Sequence, residues 1–158
     1  MGSRPRIKIS DLAYIAGFLD ADGSLMFQIK KRKDTKNKKR FMLTICFYQD
    51  VRNEKVLYWI RKKLKIGYIS KRSDKITELR INGYKAVEGI LKMLLPYLKV
   101  KRKQAMILIE SSKILKKKIN MKELKMLAKN IYRLQKLNYA SRKKKSLKEI
   151  YLYLGLTP

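Results

Sequence analysis

Residues 10–24 read SDLAYIAGFLDADGS, and the rest of the chain is organised around them. The stretch is uncharged over residues 12–19, sets Asp20 and Asp22 on either side of Ala21, and stops at Gly23. With 41 Lys and Arg against 12 Asp and Glu in the chain, two acids this close together need a reason. Read as a helix, the stretch has a start signal in Ser10 or Asp11 and a stop signal in Gly23. Ala13, Gly17 and Ala21 fall at i, i+4 and i+8, so one face carries only small residues and lets another helix backbone come close. Gly17 in mid-helix costs about 1 kcal/mol against Ala, which implies that its bare backbone is used. Both aspartates fall at the carboxyl end, where the helix dipole is already negative and acids are favourable only beside a cation. A divalent metal is one such cation. A buried core helix ending in an acidic turn is the alternative that composition leaves open.

One competing pattern fails. Asp20-Ala21-Asp22-Gly23 looks like part of an EF-hand loop, but with Gly23 at loop position six, Phe18 and Ile29 would fill the first and last ligand positions.

The 158 residues are enough for one domain with a real core, and a hydrophobic share of 46% argues against a disordered basic tail. A net charge of +29 and a pI near 10.3 point to a polyanionic partner, nucleic acid first and an anionic membrane surface second. No run is apolar and long enough to span a bilayer, and no signal-peptide pattern is present. Cys46 is the single cysteine, which fits a reducing intracellular compartment, the cytoplasm of a prokaryote or an organelle. The chain has no histidine, which excludes His-based nucleases, Ser-His-Asp chemistry and most zinc sites.

Beyond the acidic turn, Leu25, Phe27 and Ile29 alternate with Met26, Gln28 and Lys30, the period of a half-buried strand. A lysine-rich turn over 31–40 leads to a second strand over 41–49. Phe41, Leu43, Ile45 and Phe47 take one of its faces; Met42, Thr44, Cys46 and Tyr48 take the other. Asp50 can cap a helix with Val56, Leu57, Ile60 and Leu64 inward, which Gly67 breaks. A second hairpin is predicted over 68–72 and 76–81. Asn82 can cap the next helix, with Val87, Ile90, Leu91 and Leu94 inward, ended by Pro96. The order α-ββ-α-ββ-α is an α+β domain on one mixed or antiparallel sheet.

The remainder reads as helices. One spans about 101–118, with Ala105, Leu108, Ser112 and Leu115 on one face. A second opens on an Asn120–Glu123 capping box, and a short one covers about 147–154. No domain boundary is visible: one domain over 1–158 has a core over about 7–118 and a C-terminal helical extension over about 119–158. The basic turn at 141–145 is a solvated charge run or a phosphate contact.

Residues 15–23, IAGFLDADG, resemble the signature of the LAGLIDADG homing endonucleases, with conservative departures at Ile15, Phe18 and Leu19. The αββαββα order resembles that family's core, so motif and topology agree over about 7–118. The resemblance implies that two signature helices pack together, that their acidic ends sit side by side over the scissile phosphates, and that saddle-shaped antiparallel sheets read the DNA major groove. One motif per chain implies a homodimer and a near-palindromic double-stranded target, because a two-fold protein matches a two-fold site. Ala13, Gly17 and Ala21 then become the dimer seam.

The reaction so implied is phosphodiester hydrolysis with Mg²⁺ or another divalent cation such as Mn²⁺. Asp22 is the acidic metal ligand from each subunit, the Ala21 carbonyl assists, and Asp20 is either a further ligand or a support for the helix end. Gln49 matches a family position that orients water around the metal. Lys101 matches a family lysine near the scissile phosphate; an ordinary basic surface residue is the alternative. The family often has a further basic residue just after the glutamine; the ungapped match here is Asn53, with the basic Arg52 and Lys55 as neighbours.

For reading DNA, the non-core strand faces offer Gln28, Lys30, Arg32, Ser70, Arg72, Glu78 and Arg80, with Thr44 and Tyr48 behind them. Gln suits adenine, Arg suits guanine, and Glu can accept from cytosine. Lys33, Lys36, Lys38, Lys39 and Arg40 at the hairpin tip would meet phosphate. Rival readings are an intron RNA maturase or other non-cleaving nucleic-acid binder on the same scaffold, and a basic ribosomal-type RNA-binding protein. The second has no use for an acidic turn behind a small-faced helix.

Overall fold

The alternation of Leu25, Phe27, Leu43, Ile45, Phe47, Leu79 and Ile81 builds the hydrophobic side of a four-stranded sheet. A computed structural model of the chain describes residues 6–34, 38–139 and 143–158. Lys36 of the hairpin tip, and Ser141 and Arg142 of the basic turn, lie outside the described residues.

Helix α1 (Ile9–Asp22) leads directly into β1 (Gly23–Lys31) and β2 (Lys39–Asp50). Helix α2 (Lys55–Leu64), β3 (Tyr68–Lys71), β4 (Ile76–Asn82) and α3 (Tyr84–Leu94) complete the αββαββα order. The strands lie β1-β2-β4-β3, every neighbouring pair antiparallel. Ile15, Ala16 and Leu19 of α1 meet the sheet's apolar face together with Leu57 and Ile60 of α2 and Val87 and Leu91 of α3.

Helices α4 (Arg102–Leu115), α5 (Met121–Leu137) and α6 (Leu147–Tyr153) continue the same core through Leu108, Leu127, Leu134 and Ile150. The capping box is formed in full: Asn120 Oδ1 accepts from the Glu123 N–H at 2.8 Å, and Glu123 Oε2 accepts from the Asn120 N–H at 3.1 Å. Asn138, just past α5, donates to the Leu25 carbonyl at 3.0 Å, so the tail occupies a backbone acceptor of the open β1 edge.

Four expected boundaries move. Helix α1 starts at Ile9 behind Lys8, with no side-chain cap; Asp11 instead sits in the first turn and pairs with Lys63 of α2 at 2.8 Å. Asp50 caps a short 3-10 turn, Val51–Asn53, by accepting from the Arg52 N–H at 2.8 Å, and α2 begins after it. Helix α2 ends on Lys65 in the left-handed region (φ 57°), two residues before Gly67. Asn82 is not a helix cap. It is the last residue of β4, Gly83 stands at the start of α3, and the Asn82 amide is used across the sheet.

Candidate active site and nucleic-acid interface

Helix α1 passes into β1 without a loop, and Gly23 makes that turn sterically feasible. A Cβ on Gly23 would lie 2.5 Å from Leu19 Cδ1 and 2.8 Å from the Leu19 carbonyl, closer than atoms pack. Side chains at the end of α1 are therefore held against the rim of the sheet rather than on a swinging connection.

The two aspartates have different surroundings. The Asp20 carboxylate accepts three backbone N–H bonds from the segment leading into α4: Lys99 at 2.7 Å, Val100 at 3.1 Å and Lys101 at 2.8 Å. The Lys101 ammonium returns a bond of 2.5 Å to the Asp20 carbonyl. This reciprocal clamp joins the carboxyl end of α1 to the amino end of α4, matching a carboxylate to helix-start N–H groups and an ammonium to a helix-end carbonyl. Burial lowers the Lys101 pKa, while the charges of Asp20 and Asp22 oppose that shift. Asp22 is exposed, and among the described residues it makes no hydrogen bond or ion pair.

Gln49 stands near this end by register. Gly23 pairs with Phe47, so β2 runs past the start of β1 and carries Gln49 level with the turn out of α1. Its Oε1 accepts from the Asp50 N–H at 2.8 Å, which fixes the side chain.

Among the described residues no three His, Cys, Asp or Glu side chains gather to hold a metal. The donors at the end of α1 are nonetheless those a hard cation uses: the Asp22 carboxylate and the carbonyl of Ala21, in the last helical turn, where carbonyls lack intrahelical partners. Magnesium needs only one or two carboxylates when phosphate and water complete its shell. The residues fit a divalent cation shared with a phosphate. Asp20 is committed to the α4 clamp.

On α1, Ala13, Gly17 and Ala21 are all exposed, and a Cβ on Gly17 would meet nothing within 4 Å. The small face is bare in the single chain.

The sheet's outer face forms a ladder. Gln28 lies opposite Met42, Lys30 opposite Arg40, and Cys46, Arg80 and Tyr68 form one row. The next row is Tyr48, Glu78 and Ser70. Gln28, Lys30, Arg32, Lys33, Lys38, Arg40 and Arg72 are exposed; Arg80, Ser70 and Tyr48 are half-buried. Arg32 also pairs with Asp34 at 3.5 Å.

Two expected DNA readers do not stand free. Thr44 is 2% exposed and donates to Asn82 Oδ1 at 2.7 Å, because central strand β2 is flanked on both sides. Glu78 is 5% exposed, and its two oxygens accept from Arg72 at 3.2 Å and Arg80 at 2.7 Å. It orients two arginines and has little surface of its own for a base edge. Its bond raises the Arg80 pKa, and Asp74 is the largest influence raising that of Arg72. Tyr48 shares a 2.9 Å hydrogen bond with Ser24, and burial raises its phenol pKa. Cys46 is buried beneath the same face, its thiol pushed up to about 11 by desolvation. Lys39 is drawn aside to the Tyr153 ring at 3.9 Å.

The same ladder adds residues that sequence reasoning missed. Asn82 donates to the Tyr68 hydroxyl at 3.2 Å, and both are exposed beside Arg80. Period-two counting from Ser70 and Arg80 would have found them, had Asn82 not looked like a helix cap.

Residues 15–110 match the family described as LAGLIDADG endonuclease. The DNA endonuclease I-CvuI of Chlorella vulgaris is 35% identical over 111 residues, 70% of this chain and 67% of that enzyme. The DNA endonuclease I-CreI of Chlamydomonas reinhardtii is 31% identical over 99 residues, 63% of this chain and 60% of that enzyme. The crystal structure of I-CvuI on the I-CreI target, with Mg present and the DNA not cleaved, shares the fold at a TM-score of 0.83 and 27% identity, over 94% of this chain and 96% of that one. I-CvuI on its own target with Ca gives 0.82 at 27% identity, over 96% and 100%.

Proposed function

Because this chain belongs to the LAGLIDADG endonuclease family, we propose that it acts as a homodimer cutting both strands of a long, near-palindromic target by metal-dependent hydrolysis. It is a site-specific endonuclease of double-stranded DNA. The observation that carries the finer reading is the end of α1: a bare face of Ala13, Gly17 and Ala21, and beside it an exposed Asp22 with no partner among the described residues. Two such faces packed together put two Asp22 carboxylates side by side, which a single chain does not do.

Asp22 and the Ala21 carbonyl are the residues that would hold the divalent cation, Mg²⁺ by preference. When bound, such an ion activates water and neutralises charge on an in-line phosphoryl transition state. Lys101 holds a proton at Nζ beside the same helix end, where a cation stabilises developing charge on phosphate oxygens. Gln49, its Oε1 tied to the Asp50 N–H, lies level with that site by strand register. The outer sheet face binds and orients the duplex: Lys30, Lys38 and Arg40 for phosphates, Gln28, Arg72 and Arg80 for bases.

A random-sequence DNA library incubated with the protein and Mg²⁺ should yield defined double-strand cuts in one long, near-symmetric site. Chelating the metal should abolish cutting while leaving the complex intact. Recovery of nicks scattered without sequence preference would rule the reading out.

A further inference from the structure

The outward side of α5 carries a second cationic feature, remote in sequence from the sheet. Lys122, Lys125, Lys129, Arg133 and Lys136 recur at intervals of three and four, and all are exposed. At about 100° per residue they fall within an arc of about 80°, opposite the buried Leu127, Ala128, Ile131 and Leu134. The stripe is about 21 Å long.

This is more than a solvated helix surface in two respects. Neighbours in the stripe stand at i,i+3 or i,i+4, where like charges repel and destabilise a helix. Among the described residues only Arg133 finds an acid, Glu110 at 3.7 Å; Lys136 lies 4.6 Å from the Tyr132 ring. The one acid of α5, Glu123, is spent in the capping box. An aligned row of cations, four of its five members without an acid among the described residues, complements a polyanion.

A membrane surface is a poor match, because an interfacial helix inserts its apolar face and that of α5 is already in the core. Duplex DNA carries one negative charge per about 1.7 Å of axis and accepts a straight cationic row without any base contact. Resting on the reading that the sheet face takes the target, we propose that the α5 stripe is a second, sequence-independent duplex DNA surface. It lets the enzyme hold non-target DNA while the sheet face searches or engages its site.

The test uses the full chain and a variant with Lys122→Gln, Lys125→Gln and Lys129→Gln. One random-sequence duplex is immobilised, and a second, fluorescent one is offered in solution at low salt. The parent should retain the second duplex; the variant should retain at least tenfold less, with a melting temperature no lower than the parent's. The salt slope of second-duplex capture should fall by about 0.9 for each phosphate contact removed. Binding of the first duplex should change less than twofold. Equal capture by parent and variant overturns the proposal, as does an equal loss on both duplexes, which would make the stripe part of the target site. Displacement by poly-glutamate as readily as by DNA, or preference for an RNA duplex, overturns the assignment to DNA. Because the readout involves no cleavage, failure of the nuclease reading shows separately, as a parent that never cuts.

Discussion

The two sides of α1 differ in almost every respect. The inner side is finished: Ile15, Ala16 and Leu19 have no exposed surface, and Asp20 is held by three backbone N–H groups. The outer side is unfinished: Ala13, Gly17, Ala21 and Asp22 are exposed and without partners among the described residues. One helix thus serves the fold with one side, and in the function proposed above the other side is the one that meets a second subunit, a metal and a phosphate. Asp20 and Asp22, with Ala21 between them, meet different neighbours because about 100° per residue turns them to nearly opposite sides of the helix.

This contrast can be broken by substitution. Asp22→Asn should reduce cleavage on the order of 10³-fold, about 4 kcal/mol of transition-state stabilisation, with no change in melting temperature. A well-folded Asp22→Asn protein cutting at the parent rate would sink the assignment. Leu19→Ala, on the inner side, should instead lower folding stability by about 2–5 kcal/mol, read by denaturant melts. Asp20→Ala should cost about 1–3 kcal/mol of stability by leaving N–H groups at the start of α4 unpaired. Through the released Lys101 it should also lower the cleavage rate while target affinity holds. If Asp20→Ala lost metal affinity yet kept its stability, the clamp reading would be wrong and the ligand reading right.

Gly17→Leu separates the sides most cleanly. A side chain meets no obstacle within the subunit, so the isolated chain should gain up to about 1 kcal/mol from helix propensity. Sedimentation should nevertheless show the dimer lost. A dimer of undiminished strength would place the seam elsewhere.

The smallest expected effect lies on the sheet. Glu78→Gln should leave cleavage of the best site within a fewfold. It should relax preference where Arg72 and Arg80 read, by about 1 kcal/mol per position, measured on a panel of single-base variants.

Much of this was legible in the chain. The period-two runs at 25–29 and 41–47 announce two strands with one apolar face, because a pleat alternates whatever lies around it. The Asn120–Glu123 box is a local device and formed as spaced. Signals that serve more than one purpose were not decisive. Asp50 and Asn82 are both good helix caps by type, yet Asp50 caps a 3-10 turn and Asn82 spans β2 and β3 through Thr44 and Tyr68. Asp, Asn and Glu find whichever donors the fold brings near.

By itself, the sequence determined that a small-faced helix ends in two acids, that hairpins and helices alternate behind it, and that the partner is anionic. These are matters of period, residue size and net charge, which need no partner in space. Only the tertiary structure decided which acid is clamped and which is exposed, and that Glu78 is buried and bonded to two arginines. It also decided that Thr44 is covered. Each depends on contacts between segments far apart in the chain, Asp20 with residues 99–101 above all. A carboxylate's role is set by the donors it meets, and spacing along one segment does not record them.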